Sequence, residues 1–176
     1  MEFVFLSEAE AEDISAFIHD VWVDTYAPIL VGGRERAESI YDDWVGPEKI
    51  RRDMAAGHFF AYPMVEGVPI GMVSAGAEGR DLMISKIYIL PDQRGKGYGR
   101  GCLQFILGYG REHGCSRALL EVNPKNESAI RFYRENGFKK VGENIYEVSN
   151  TEVMATDLRR HAPVRIRCPG GGASSR

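Results

Sequence analysis

The sequence has few of the features that mark metal, disulfide or membrane proteins. Its three cysteines, Cys102, Cys115 and Cys168, form no CxxC pair and no zinc-ligand pattern with histidine. We therefore expect reduced thiols, no disulfide framework and no metal. Apolar runs such as FFAYPMV fall far below the roughly 20 residues of a membrane span, and the acidic start lacks the basic head of a signal peptide. The sequence thus predicts a soluble, cytoplasmic protein with no membrane partner.

A basic surface of the kind that binds nucleic acid is also missing. The net charge is −3 and the isoelectric point is near 5.8, so nucleic acid is not an expected partner. The charge is unevenly distributed, because the first 92 residues carry 17 acidic and 7 basic side chains and the remaining 84 carry 8 and 15. This split has two interpretations: ordinary solvated surface, or two ligands of opposite charge, a cation met by the first part and an anion held by the second.

The length and composition predict one globular domain. A chain of 176 residues with 44% hydrophobic content is large enough to bury a core. A capping-box pattern at Ser7 and Glu10 predicts a helix of about five turns, two further helices follow, and the apolar period changes to two near His58. Periodicity is lost from His161, so we expect a domain over residues 1–160 and a flexible tail or cloning remnant over 161–176.

Glycine is concentrated in DQRGKGYGRG, residues 92–101, between a predicted strand and a predicted helix. Such a loop exposes consecutive backbone N–H groups at the positive end of the helix dipole, which makes it a cradle for an anion. Arg94, Lys96 and Arg100 add positive charge at its rim. The alternative is a turn that is merely flexible or tightly packed.

Two common nucleotide motifs do not match this stretch. A Walker loop needs GxxxxGK followed by Ser or Thr, which GKGYGRG does not supply. A dinucleotide fingerprint needs GxGxxG, and its third glycine would fall on Arg100 or Cys102, so a dinucleotide-binding oxidoreductase is a remote alternative. The pattern that fits is Arg-x-x-Gly-x-Gly, formed by Arg94, Gly97 and Gly99 directly after Gln93.

With this pattern, KIYILPDQRGKGYG resembles the pyrophosphate-binding segment of the GNAT superfamily of acetyl-CoA-dependent N-acetyltransferases. About 30 residues further on, NPKNESAIRFYRENGFKKVG resembles the second signature of that family; the matching residues are Asn126, Ala129, Phe132, Tyr133, Gly137 and Phe138. The resemblance implies an α/β (α+β) fold over residues 1–160. Its sheet would be mixed, mostly antiparallel and twisted, flanked by helices, with a splay between the two central strands.

The resemblance also implies acetyl-CoA as the cosubstrate. Its pyrophosphate would bind the backbone of Arg94, Gly95, Lys96, Gly97, Tyr98, Gly99 and Arg100. The pantetheine would pair with the strand at Ile87, Tyr88 and Ile89, and the Ile89 amide would polarise the thioester carbonyl. An ordinary ladder hydrogen bond is the alternative for that amide. Asn126 would cap its helix, bind the cofactor, or do both.

In this family's mechanism Tyr133 is the expected general acid, which protonates the departing CoA thiolate; the alternative is simple helix packing. Ser85 and Lys86 stand near the place where many relatives carry a glutamate base. Glu121, on the neighbouring strand, is therefore the candidate base, acting through water, unless it is only a surface carboxylate. Direct transfer in a ternary complex is preferred to a cysteine nucleophile at Cys102, which lacks a visible His and carboxylate arrangement.

The acceptor is expected to be a small-molecule primary amine. HDVWVDTYAPIL and the acidic segment after it resemble the branch of the family that acetylates polyamines such as spermidine, and Trp22, Asp24 and Tyr26 would bind the cation. A protein or peptide N-terminal acetyltransferase and a non-catalytic CoA-binding sensor are the alternatives. Relatives are often dimers, so a homodimer is a further expectation.

Overall fold

The computed structural model describes residues 1–145 and 150–158 of the chain. Five helices and eight strands are found in this part. The helices are α1 (Ala11–Tyr26), α2 (Gly33–Val45), α3 (Pro47–Ala55), α4 (Tyr98–Glu112) and α5 (Glu127–Glu135). The strands are β1 (Glu2–Phe5), β2 (His58–Val65), β3 (Val68–Pro69), β4 (Gly71–Glu78), β5 (Asp81–Ile89), β6 (Arg117–Val122), β7 (Lys139–Ile145) and β8 (Asn150–Asp157).

The strands form one mixed sheet with the order β1-β2-β4-β5-β6-β8-β7, and β3 pairs with β2 alone. All neighbouring strands are antiparallel except β5 and β6, which are parallel. A parallel pair needs a crossover connection, and the segment that contains α4 supplies it. The predicted fold class, a mostly antiparallel mixed sheet flanked by helices, is confirmed.

The sheet buries a hydrophobic core on each face. Because side chains alternate along a strand, Met72 of β4 packs with α1, α2 and α3, whereas the adjacent Val73 packs with α4. Ile14 and Ile18 fix α1 on the first face, and Leu103 belongs to the second core. The two cores place one helical layer on each side of β5, where the predicted site lies.

The two central strands separate at the end where the site is predicted. β5 pairs with β6 only from Asp81 to Ile84, and the remaining residues of β5 diverge from it. The register between β4 and β5 shifts at the same place, since Ala75 lies opposite Ile84 and Ser74 lies opposite Lys86. Ser85 is therefore the extra residue of a β-bulge, which bends the strand. The predicted splay is present.

The start of the first helix differs from the prediction. The Ser7 N–H donates to Glu10 Oε2 at 2.7 Å, as a capping box requires, but the motif begins a short 3-10 turn and α1 starts only at Ala11. Of the helices in the described part of the chain, none combines the length and apolar character that crossing a bilayer requires. The predicted tail over 161–176 lies outside the described residues.

Candidate active site

The glycine loop connects β5 to α4 through a 3-10 turn over Pro91–Gln93. Gly95 and Gly97 have φ angles of 75° and 83°, and Gly97 is the residue directly before α4. Side-chain-bearing residues rarely adopt these angles, so the loop needs glycine at both positions. A Cβ built at either position would meet no atom within 4 Å and would instead occupy the open space beside the loop. That space is where an anion would meet the N-terminus of α4.

A groove of about 380 Å³ runs beside this loop. Its residues are Ile89, Gln93, Arg94, Gly95, Gly97, Tyr98, Gly99, Arg100, Phe132, Glu135 and Asn136. Seven of them come from a single stretch of the chain after β5, and three from the end of α5 and the residue that follows it. The backbone donors and the two arginines give the groove the chemistry that a diphosphate requires, so the residues present fit CoA.

Two residues of the predicted cofactor segment have other contacts. Lys96 does not line the groove, and its Nζ donates to Gln93 Oε1 at 3.0 Å. Asn126 caps α5, where its Oδ1 accepts from the Ala129 N–H at 3.2 Å. Asn126 lines neither this groove nor the second cavity of the site. Of its two expected roles, helix capping and cofactor binding, the structure supports capping.

The backbone of β5 presents hydrogen-bonding groups to the splay. The Leu90 N–H donates to the Ile70 carbonyl at 2.9 Å, so the end of the β4–β5 ladder has a hydrogen bond at this position. Pairs alternate along an antiparallel ladder, so Ile87 and Ile89 are non-hydrogen-bonded pairs, and their N–H and C=O groups point away from β4. The Arg94 Nε already donates to the Ile89 carbonyl at 3.0 Å. The gap left by β6 can therefore take an added extended chain.

A second cavity, of about 310 Å³, lies on the other side of β5 and is called the acceptor cavity below. Trp22, Tyr26, Trp44 and Tyr88 give it aromatic walls, and its charged residues are Lys49, Asp53, Glu78, Lys86 and Glu121. His58, Ser85 and Asn123 add neutral polar groups. The Trp22 and Tyr26 rings stack at a tilt with centroids 4.5 Å apart. Aromatic faces with carboxylates nearby are a good environment for an organic cation.

The structure brings two of the three predicted acceptor residues to this cavity. Trp22 and Tyr26 line it, but Asp24 lies on the outer side of α1 and forms an ion pair with Arg34. A helix turns by about 100° per residue, so Asp24 cannot share the face of both Trp22 and Tyr26. The acidic Glu38 and Asp42 line a separate surface groove.

Three tyrosine phenols lie close together; Tyr26 and Tyr88 line the acceptor cavity, whereas Tyr133 lines neither the cavity nor the groove. Tyr26 and Tyr88 are hydrogen-bonded to each other, and both interact electrostatically with Tyr133. Burial raises the pKa of all three phenols, so each keeps its proton at neutral pH. Tyr133 is held by Phe132 and Phe138, with ring centroids at 5.2 and 5.5 Å. A partly buried phenol that keeps its proton is suited to donate it.

Glu121 lines the acceptor cavity, as expected for a residue that faces the amine. Its Oε1 accepts a hydrogen bond from Asn144 Nδ2 at 2.7 Å. Cys102, in contrast, is buried in the core behind α4, and burial raises the pKa of its thiol to about 12. A thiol that stays protonated is a poor nucleophile, which agrees with the preference for direct transfer.

Sequence reasoning missed the charged group at the base of the acceptor cavity. Lys86 is only 7% exposed, and its Nζ lies 3.2 Å from Asp53 Oδ2 and 5.3 Å from the Phe60 ring centroid. Lys49 pairs with the same carboxylate. Burial opposes ionisation of Asp53, but the two ammonium groups outweigh it, and its pKa lies below the usual value. The partners are 33 residues apart in sequence, so no local pattern indicates this pair.

His58 and Glu78 were missed as well. His58 begins β2 and lies directly opposite Gly76, while Glu78 ends β4. Both line the acceptor cavity together with the bulged Ser85. A histidine at the first residue of a strand does not by itself indicate a functional site. The residues near His58 can be identified only when the β2–β4 register is known.

Comparisons with known proteins agree with this geometry. The family model described as "Acetyltransferase (GNAT) family" matches residues 14–138. The chain is 34% identical over 85 residues to the uncharacterized N-acetyltransferase Mb2688 of Mycobacterium bovis, covering 46% of this chain and 54% of that one. It is 26% identical over 151 residues to N-alpha-acetyltransferase RimI of Mycobacterium tuberculosis, covering 76% and 92%. The match to Mb2688 thus spans about half of that relative's length.

Solved structures share the architecture. The crystal structure of PaiA N-acetyltransferase from Thermoplasma acidophilum in complex with coenzyme A superimposes with a TM-score of 0.73 and 20% identity. The superposition covers 89% of this chain and 99% of that one, and at this identity it shows a common fold. The family match includes α1, the acceptor cavity, the glycine loop and α5. As the two signatures predicted, the chain belongs to the acetyltransferase (GNAT) family.

Proposed function

We propose that this protein transfers the acetyl group of acetyl-CoA to the primary amine of a small cationic acceptor, by direct transfer in a ternary complex. One observation carries the proposal: two cavities of different chemistry meet at adjacent residues of one strand. Ile89 lines the diphosphate-type groove, and Tyr88 lines the aromatic acceptor cavity. Neighbouring side chains of a strand point to opposite faces. The two substrates would therefore lie on opposite faces of β5, with only this strand between them.

The residues of this chain have distinct roles in the proposal. The backbone of the glycine loop, with Arg94 and Arg100, would hold the diphosphate, and the outward backbone of Ile87 and Ile89 would pair with pantetheine. The Ile89 N–H would stabilise the negative charge that develops on the carbonyl oxygen, a contribution of about 3 kcal/mol in other acyl-transfer sites. Tyr133 would protonate the CoA sulfur as the amide forms.

Polyamines are the acceptors that we propose to test first. The aromatic rings of the cavity and the carboxylates of Glu78 and Glu121 favour a cation, and an elongated alkyl amine matches aromatic walls. Because Asp24, Glu38 and Asp42 lie outside the cavity, the cation must be held by the aromatic groups and the two cavity carboxylates. The proposal is therefore a short polyamine or a similar small amine.

A peptide acceptor is the second candidate, because one relative is named N-alpha-acetyltransferase RimI, a name that describes acetylation of an α-amine. A peptide needs an extended groove that bonds its backbone, whereas the acceptor cavity is lined by side chains from both helical and strand elements. We therefore rank it after small amines.

The test is release of CoA thiol from acetyl-CoA with spermidine, spermine, lysine and a short peptide as separate acceptors. Turnover with a polyamine is the expected result. Turnover with the peptide alone would replace the small-amine proposal by the peptide one. Binding of CoA without turnover of any acceptor would indicate a CoA-binding sensor.

A further inference from the structure

His58 has a fixed position in the wall of the acceptor cavity. It lies opposite Gly76 in the β2–β4 ladder, and a Cβ at Gly76 would approach the imidazole Cδ2 to 2.5 Å. The ring can lie flat over β4 only because this position is glycine. The side chain is 10% exposed, so its remaining accessible surface faces the cavity that it lines.

Both nitrogens of the His58 ring face polar groups from other strands. Ser85 Oγ lies 2.9 Å from Nδ1, and Glu78 Oε1 lies 3.5 Å from Nε2. Ser85 is the bulged residue of β5, at the point where β5 leaves β6, and it is exposed within the cavity. Glu78 is 61% exposed, at the end of β4. The three groups form a chain from the cavity interior to solvent.

We propose that Ser85, His58 and Glu78 form a proton relay that deprotonates the acceptor ammonium. The proposal rests on the proposed function, because an alkylammonium with a pKa near 10 has to lose a proton before it can attack a thioester. The Ser85 hydroxyl contacts the amine and passes its own proton to His58 Nδ1 while it accepts one from the ammonium. The proton on Nε2 moves towards Glu78 and reaches solvent there.

The remaining steps balance the reaction. The lone pair of the neutral amine forms the N–C bond to the acetyl carbon, and the C–S bond breaks with its electron pair on sulfur. Tyr133 gives its proton to that sulfur, and the second proton lost by the nitrogen restores the phenol. One ammonium and one thioester thus give one amide, one thiol and one proton released to solvent.

The other titratable groups of the cavity are less suited to this task. Burial lowers the pKa of Lys86, but its Nζ is held against the Asp53 carboxylate, which also pairs with Lys49. Glu121 accepts a hydrogen bond from Asn144, and a carboxylate is in general a weak base for an alkylammonium. Of the side chains in the cavity, the imidazole is the one best matched to proton transfer at neutral pH. In this scheme Glu121 attracts the ammonium and His58 takes its proton.

The experiment compares His58→Gln with His113→Gln, a histidine at the end of α4 that packs on Tyr109 outside both cavities. Kcat/KM for acetylation is measured from pH 5.5 to 9 with an alkylamine and with a fluorinated ethylamine that is already neutral at pH 7. We expect His58→Gln to reduce the alkylamine rate by about 100-fold and to abolish the decline of the rate at acidic pH. The rate with the fluorinated amine should fall by less than about tenfold, because this amine needs no base. His113→Gln should match the wild type.

Three outcomes would overturn the relay: an equal loss for both amines, an acidic decline that persists in His58→Gln, or unchanged alkylamine rates. If His58→Gln does not fold, Ser85→Ala and Glu78→Gln decide the question, because both residues are exposed and each should slow only the alkylamine, by about tenfold. A different result would contradict the proposed function: wild-type protein that binds CoA but acetylates no amine. That result would also overturn the relay. CoA affinity should be the same in every variant.

Discussion

The groove beside the glycine loop and the acceptor cavity are built in different ways. Most of the groove comes from the continuous stretch between the end of β5 and the start of α4, and its main groups are backbone N–H donors and two arginines. The acceptor cavity draws on three helices and four stretches of the sheet, from Trp22 to Asn123, and its groups are side chains. One site is encoded locally, and the other depends on the whole fold.

This difference separates what a family shares from what distinguishes its members. A glycine loop at a helix N-terminus can bind a diphosphate independently of the sequence elsewhere in the chain. The cavity can change its acceptor through substitutions in α1, α2 or β2 that leave the loop untouched. The two sites are linked at Tyr88, Ile89 and the nearby Tyr133, so substitutions there should affect catalysis rather than the binding of one substrate.

The largest effect is expected at this link. Tyr133→Phe removes the proposed acid but keeps the ring that packs on Phe132 and Phe138. We expect kcat to fall by about 100- to 1,000-fold, with CoA affinity and thermal stability nearly unchanged. Stopped-time thiol release measures kcat, calorimetric titration measures CoA affinity, and thermal unfolding measures stability. Tyr109→Phe, on α4 and outside both cavities, is the control, and a small effect at Tyr133 would assign it to packing.

The next effect concerns the acceptor side. Asp53→Asn leaves Lys86 buried without its carboxylate, which should lower the free energy of unfolding by about 3 kcal/mol at pH 7. The folded-state pKa of Asp53 lies below its usual value, so the stabilisation is present above the unfolded pKa, about 4, and is lost as the pH falls through the lowered pKa. Denaturant unfolding of both proteins from pH 7 to pH 3 should show the difference shrinking with acid.

The control for this prediction is Asp81→Asn, which breaks the more exposed pair with Arg117. It should cost much less than Asp53→Asn, because solvent screens that pair. Equal losses for the two substitutions would contradict the view that the cavity is built around a buried ion pair.

On the cofactor side, Gly97→Ala tests the backbone conformation of the loop. The φ angle of Gly97 is 83°, and alanine at this angle would cost about 1–2 kcal/mol in backbone strain. The added methyl group would also enter the groove. We expect CoA affinity to fall by about 10- to 100-fold. Gly79→Ala has a similar penalty at φ 61° in the β4–β5 turn, away from the groove. It should lose stability but retain CoA binding, and equal affinity losses in both variants would rule out a specific role for the loop.

The smallest effect is expected for Glu121→Gln. If this carboxylate attracts the ammonium and His58 takes the proton, KM for the amine should rise by about three- to tenfold, the equivalent of roughly 1 kcal/mol, while kcat changes little. Steady-state kinetics with varied amine at saturating acetyl-CoA separate the two constants. A loss confined to kcat would instead support Glu121 as the base acting through water.

The sequence predicted the cofactor side well because its information is local. The run from Ile87 to Arg100, the cap at Asn126 and the aromatic pair Phe132 and Tyr133 all lie within elements whose ends were marked by glycine, proline or asparagine. The acceptor side was predicted only through Trp22 and Tyr26, which share one face of α1. Asp24 was assigned to the acceptor site because it is acidic. The rotation of the helix between successive residues places it outside the acceptor cavity.

The groups that sequence reasoning missed are brought together by strand register. His58 and Ser85 are 27 residues apart in sequence, and Asp53 and Lys86 are 33 residues apart. The bulge that exposes Ser85 depends on a one-residue shift between β4 and β5, which has no sequence signature of its own. Such contacts follow from pairing between distant strands rather than from any local pattern.

The most direct test of the central claim is a crystal structure with a bisubstrate analogue in which CoA is joined to spermidine through an acetyl bridge. We predict that the diphosphate lies on the N–H groups between Gly95 and Gly99, that the bridge passes the end of β5 near Ile89 and Tyr133, and that the polyamine arm lies among Trp22, Tyr26 and Trp44. A diphosphate bound away from the loop, or a polyamine arm outside the acceptor cavity, would contradict the account.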